Sequence, residues 1–130
     1  MKLHHVGVAV DDLEGAIDMY TKHFGAVLTH RARAEDQGLE AAFLQMGSAE
    51  VELLASIHED STIGKFLSKR GPGLHHVAYA VPDVARALAD AHAAGMELID
   101  AVPRIGMHGV PIAFIHPKSV GGVLTEFVEA

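Results

Sequence analysis

Two copies of one short motif, offset by 71 positions, limit the folds open to this chain more than any other feature. The first copy reads Leu3-His4-His5-Val6-Gly7-Val8-Ala9-Val10, and the second reads Leu74-His75-His76-Val77-Ala78-Tyr79-Ala80-Val81. Over positions 3–16 against 74–87, eight of fourteen residues are identical. Such self-similarity predicts two related units, each about half of the 130-residue chain. Each unit then presents a histidine, His5 or His76, at the same structural point.

The periodicity within each copy predicts its local structure. Segment 3–10 alternates and is valine-rich, so it reads as a strand with Val6, Val8 and Val10 on one face. Leu3, His5, Gly7 and Ala9 lie on the other. Asp11 or Asp12 can cap a following helix whose buried stripe is Leu13, Ala16, Ile17, Tyr20 and Phe24, ended by Gly25. In the second copy, Asp83 caps a helix carrying Val84, Ala87, Leu88 and Ala91, ended by Gly95. Three strand-like runs follow each helix: 26–33, 39–46 and 50–55, then 96–102, 111–115 and 122–128. A short helix capped by Asp60 or Ser61 and ending at Gly71 joins the halves. The expectation is one α+β domain: a β-α-β-β-β module (1–58), a linker helix (59–72) and a second such module (73–130).

Composition narrows the chemistry. A net charge of -7 argues against a nucleic-acid partner, which calls for a basic surface. The chain has no cysteine, which removes thiolate ligands and disulfides, and ten histidines, which leave imidazole and carboxylate as the ligand types. No apolar run reaches the roughly 18 residues of a membrane span. Met1-Lys2 leads directly into a strand without a signal-peptide pattern, so a cytoplasmic location is expected.

The last strand of each half also corresponds: Val51-Glu52-Leu53-Leu54 matches Thr125-Glu126-Phe127-Val128. If Leu53 and Phe127 pack inward, alternation turns Glu52 and Glu126 to the face that carries His5 and His76. Two imidazoles and two carboxylates form an N/O set suited to Zn2+, Co2+, Mn2+, Fe2+ or Ni2+. A single strand histidine is more often a packing residue, and a single outer-strand glutamate is usually solvated. The four together at matched repeat positions argue for a metal site. His4 and His75 read as structural, and His30, His58, His92 and His108 as scattered over loops and helix surfaces. Lys65, Lys69, Arg70, Arg104 and Lys118 are the cations available to meet an anionic ligand.

The chain resembles the methylmalonyl-CoA epimerases of the vicinal oxygen chelate (glyoxalase) superfamily. The resemblance runs through both His-His motifs, Val51-Glu52-Leu53-Leu54, Ile63-Gly64-Lys65-Phe66-Leu67, His116-Pro117-Lys118-Ser119 and Gly121-Gly122-Val123-Leu124-Thr125-Glu126. It implies a cup-shaped mixed sheet and a divalent ion on His5, Glu52, His76 and Glu126. Co2+ is the foremost candidate, with Zn2+, Mn2+, Ni2+ or Mg2+ as alternatives. It further implies interconversion of the (R) and (S) forms of methylmalonyl-CoA, a step of propionate metabolism, by a homodimer. The CoA thioester would be met by Lys118, Ser119, Lys65 and Arg104. In one respect the chain departs from the pattern. Some epimerases carry a proposed catalytic Glu four residues after a Gln-Gly pair's Gln, where Gln37-Gly38-Leu39-Glu40-Ala41 places Ala41. Either the strand is shifted to present Glu40, or Glu35 takes over, or Glu126 and Glu52 transfer the proton; the last is the expectation adopted. Other activities of the superfamily compete: glyoxalase I, an Fe2+ extradiol dioxygenase, and metal-free ligand binding.

Overall fold

A computed structural model describes all 130 residues as eight strands and three helices. Contacts group them into two compact units, Val6–His75 and Met1–His5 with His76–Ala130. The division therefore falls inside the two His-His strands, β1 (Lys2–Ala9) and β5 (Gly73–Val81).

In the unit Val6–His75, β1 leads into helix α1 (Leu13–Phe24). Asp12 is the cap, accepting from Gly15 N at 3.0 Å, and such a cap contributes about 1 kcal/mol. Gly25 closes the helix in the left-handed region, at φ 66°, which a side chain would disfavour. Strands β2 (Val27–Ala34), β3 (Leu39–Met46) and β4 (Ala49–Ser56) follow as an antiparallel meander, with spatial order β2-β3-β4-β1. Leu13 and Ile17 of α1 pack on Val10, Ala42, Leu44, Leu53 and Ala55. That contact fixes the helix-facing side of β3 and β4. Helix α2 (Thr62–Arg70) is capped by Ser61, whose Oγ accepts from Gly64 N at 2.9 Å.

In the other unit, β5 leads into α3 (Val84–Ala93), capped by Asp83. Then come β6 (Arg104–Ile105), β7 (Pro111–Ile115) and β8 (Thr125–Glu129), with order β5-β8-β7-β6. β5 and β8 run parallel, and the other pairs are antiparallel. Val84, Leu88 and Ala91 pack on Val81, Ala113, Ile115 and Phe127. The architecture is thus α+β, built from two β-α-β-β-β modules.

The strand expected at 96–102 does not form. Only Leu98 bridges to Ile115. The backbone N–H of Glu97 is taken by Ser119 Oγ at 2.8 Å, and Ile99 and Asp100 both donate to the carbonyl of Phe114. The Ile99 bond, with His116 N to the Glu97 carbonyl, makes that single bridge; the Glu97 and Asp100 donors are spent off the ladder, and the short β6 begins only after Pro103. β8 likewise starts at Thr125 and not at 122, because Gly121 and Gly122 sit at φ 62° and 92° in a turn that closes on Pro117.

Candidate metal centre

Alternation along β5 and β8 builds the centre. Phe127 packs with α3, so its neighbour Glu126 faces away from that helix. Glu126 lies opposite Phe114 on β7 and beside Ala78 on β5, and His76 precedes Ala78 by two residues on the same face. His5 belongs to the same compact unit. His5, His76 and Glu126 are only 1%, 3% and 5% exposed.

Their ligand atoms converge. His5 Nε2 is 3.1 Å from His76 Nε2 and 3.0 Å from Glu126 Oε1, and His76 Nε2 is 3.6 Å from the same oxygen. Glu126 Oε1 is buried and receives no hydrogen bond. An unsatisfied buried carboxylate oxygen is costly, and burial of an uncompensated charge more so. A shared cation would compensate that charge. Ligand atoms held at about 2.0–2.2 Å from one ion, at tetrahedral or octahedral angles, stand roughly 2.8–3.6 Å apart. The three separations fit that range, and two imidazoles with one carboxylate form a borderline N/O donor set.

Glu52 occupies the equivalent place in the unit Val6–His75. It is buried, stands opposite Phe43 on β3, and faces away from α1 because Leu53 packs toward that helix.

The neighbourhood of Ala41 bears on the proton-transfer groups. The β3–β4 register runs without a slip from Leu39 opposite Ser56 to Met46 opposite Ala49. Ala41 is fully buried opposite Leu54, on the Glu52 face of the strand pair. Glu40, opposite Ala55, therefore faces the α1 side. There its carboxylate accepts from Arg31 at 3.1 Å and lies 3.6 Å from Arg33, while Arg31 also binds Glu14 of α1. Glu35 is held by Arg33 at 2.6 Å, and that hydrogen bond lowers its carboxyl below the ordinary value. Neither residue has the setting of a buried base.

Lys65 lies on α2, lining a cavity of about 690 Å³ with Ser56, His58, Asp60 and Ser68 in the unit Val6–His75. Lys118 is exposed and Ser119 half-buried on a turn of the other unit, and the Ser119 hydroxyl is occupied by Glu97. Arg104 is linked to the centre through an aromatic ring. Its guanidinium sits 5.4 Å over the Phe114 ring, and Phe114 meets the His76 ring edge-on at 5.5 Å. Asp100 ties Arg104 to β7, accepting from Arg104 Nε at 3.3 Å and from Phe114 N at 2.8 Å.

Two histidines read from the sequence as peripheral lie against the centre. His4 Nδ1 and His5 Nδ1 are 2.7 Å apart. The His108 ring lies 5.2 Å from that of His4 and 5.3 Å from that of His5. His108 is therefore not a scattered loop residue: the tight turn from Gly106 to Gly109 places it there. Adjacent histidines in the motif were the one sequence signal for His4, and nothing local marks His108.

A family model described as the glyoxalase/bleomycin resistance protein/dioxygenase superfamily matches residues 4–114. An ethylmalonyl-CoA/methylmalonyl-CoA epimerase of Cereibacter sphaeroides is 36% identical, over 96% of this chain and 95% of that protein. The crystal structure of methylmalonyl-CoA epimerase from Mycobacterium tuberculosis is 42% identical with a TM-score of 0.93, covering 98% of this chain and 87% of its own. A methylmalonyl-CoA epimerase in complex with methylmalonyl-CoA and NH4+ is 36% identical with a TM-score of 0.94, covering 99% and 94%.

Proposed function

We propose that this chain, which belongs to the glyoxalase/bleomycin resistance protein/dioxygenase superfamily, interconverts (R)- and (S)-methylmalonyl-CoA. One observation carries the reading. Three buried ligand atoms converge within 3.0–3.6 Å in a chain that matches epimerases along nearly its whole length.

His5, His76 and Glu126, joined by Glu52, are the proposed ligands of one divalent ion, with Co2+ first among the candidates and Zn2+, Mn2+, Ni2+ or Mg2+ next. Bound there, it would supply Lewis-acid stabilisation of the negative charge that the reaction develops on the thioester oxygen. The proton transfers fall to the chain's own carboxylates. The substrate's α-carbon lies between a thioester and a carboxylate, so its C–H bond can break with the electron pair passing into the thioester carbonyl. One of Glu126 and Glu52 takes that proton as a carboxylate, and the other, entering the step as the carboxylic acid, delivers its proton to the opposite face, which inverts the centre and exchanges the protonation states of the pair. A positioned general base of this kind is worth about 10²–10⁴-fold. The fully buried Ala78 beside Glu126 and the half-buried Phe114 ring opposite it limit the water that competes for the proton.

Arg104 is the proposed anion contact, because its stacking on Phe114 holds a fork of donors near His76. Lys118, Ser119 and Lys65 are assigned to the CoA portion. A cytoplasmic homodimer acting in propionate metabolism completes the proposal. Exposed Val27, Leu28 and Leu74 offer apolar surface for a second copy, and no helix is long and apolar enough to cross a membrane.

The test is a substrate panel on metal-loaded protein: each methylmalonyl-CoA epimer, ethylmalonyl-CoA, a glutathione hemithioacetal and, with Fe2+, a catechol. Epimer interconversion alone supports the reading. Turnover of the hemithioacetal or the catechol, with the thioesters untouched, overturns it.

A further inference from the structure

His5 makes contacts through both ring nitrogens, and they differ in kind. Nε2 faces Glu126 Oε1 and His76 Nε2 at 3.0 and 3.1 Å. Nδ1 faces His4 Nδ1 at 2.7 Å, a normal hydrogen-bond length. A neutral imidazole carries its proton on one nitrogen only. For Nε2 to offer a lone pair to a cation, the proton must sit on Nδ1, 2.7 Å from His4 Nδ1, to which it can be donated. His4 Nδ1 must then be the acceptor, with its own proton on Nε2. The edge-on packing of the two rings, 76° between planes, restricts rotation of His5 away from this arrangement. His108 closes over both rings from the Gly106–Gly109 turn.

We infer that His4 is a positioning residue which, by accepting a hydrogen bond from His5 Nδ1, fixes the tautomer and ring orientation that present His5 Nε2 to a divalent cation. The inference rests on the metal-site reading above. It assigns a role to the first histidine of the first motif copy, which reads from the sequence as structural. The same three residues also group as a potential cation cluster of their own. A second ion there would need the His5 Nδ1 lone pair, so the two roles exclude one another.

The experiment compares wild type with His4→Phe and His4→Asn. Phenylalanine keeps a ring and removes the acceptor, whereas the asparagine Oδ1 can accept in place of Nδ1. Co2+ affinity and stoichiometry are measured by titration, and the His5 tautomer is read by long-range 1H–15N NMR of the metal-free protein. Outer-shell partners of metal-bound histidines typically govern about 10- to 100-fold in affinity, so His4→Phe is expected to weaken Co2+ binding by that factor. His4→Asn is expected to recover most of it, with one ion per chain throughout. In wild type His5 carries its proton on Nδ1, and in His4→Phe the Nε2-protonated form gains population. Unchanged affinity and tautomer in a folded His4→Phe variant would overturn the inference, as would two ions per chain. Should wild type bind no Co2+, the metal-site reading fails, while the NMR tautomer still reports separately on the His4 contact.

Discussion

The Nε2 of His5 and the Oε1 of Glu126, 121 positions apart in sequence, lie 3.0 Å from each other in a setting almost closed to solvent. With no hydrogen bond to this oxygen, an ionised Glu126 is destabilising until a cation joins the pair. A saturating ion should therefore raise the melting temperature. At a hundredfold excess over Kd the linkage gain is about 2.7 kcal/mol. Chelation should remove it, as thermal unfolding with and without EDTA will read.

Glu126→Gln should act in opposite directions on the two forms. The loaded protein loses a charged ligand, and its affinity for Co2+ should fall by more than the roughly 100-fold limit of outer-shell changes. The metal-free variant no longer buries a charged oxygen without a hydrogen bond, and should be more stable than metal-free wild type by about 1–3 kcal/mol. Calorimetric binding and melting curves of both forms decide this.

Glu40→Gln should leave turnover within about twofold of wild type. Its carboxylate is committed to Arg31 and Arg33 on the α1 side of β3, and half-exposed pairs of this kind are worth about 0.2–1 kcal/mol. A collapse of kcat with metal retained would reassign the base. Glu35 is expected to titrate low for the same electrostatic reason. Its pairing with Arg33 depresses the carboxyl, so the pair is intact above the ordinary glutamate range and is lost as pH falls through the lowered folded value. Carboxyl NMR of wild type and Arg33→Gln will show whether that depression disappears.

Alternation and repetition in the sequence account for most of this arrangement. The faces of β4 and β8 follow from Leu53 and Phe127, whose neighbours Glu52 and Glu126 turn away from the helices. The caps at Asp12, Ser61 and Asp83 are where local chemistry puts them. Three features are not local. The segment 96–102 has strand-like residues, but its donors go to Ser119 and Phe114, contacts that only the fold creates. His108 reaches His4 and His5 through a turn whose direction no period encodes. The Arg104–Phe114–His76 stack depends on which residues β6 and β7 bring opposite one another.

That stack makes Arg104→Ala informative. Losing one charge-assisted contact of about 1.5–3 kcal/mol should raise KM for the CoA thioester roughly 10- to 150-fold, with a smaller change in kcat. Arg104→Lys should restore little, since a lysine supplies the charge without the planar fork and stack. Steady-state kinetics of both variants test this.

Gly64→Ala probes the support of α2. A Cβ at this position would lie 2.5 Å from the carbonyl oxygens of His58 and Glu59, backbone atoms that cannot swing aside. A loss of about 1–3 kcal/mol is expected from such overpacking, read by denaturant midpoint.

The most direct measurement uses Co2+-loaded protein and a single epimer of methylmalonyl-CoA in D2O, with the α-proton followed by NMR. The α-proton signal is expected to disappear as the opposite epimer accumulates, with no other product, and EDTA is expected to stop both processes. Tight Co2+ binding with the α-proton retained and the substrate unchanged would contradict this expectation.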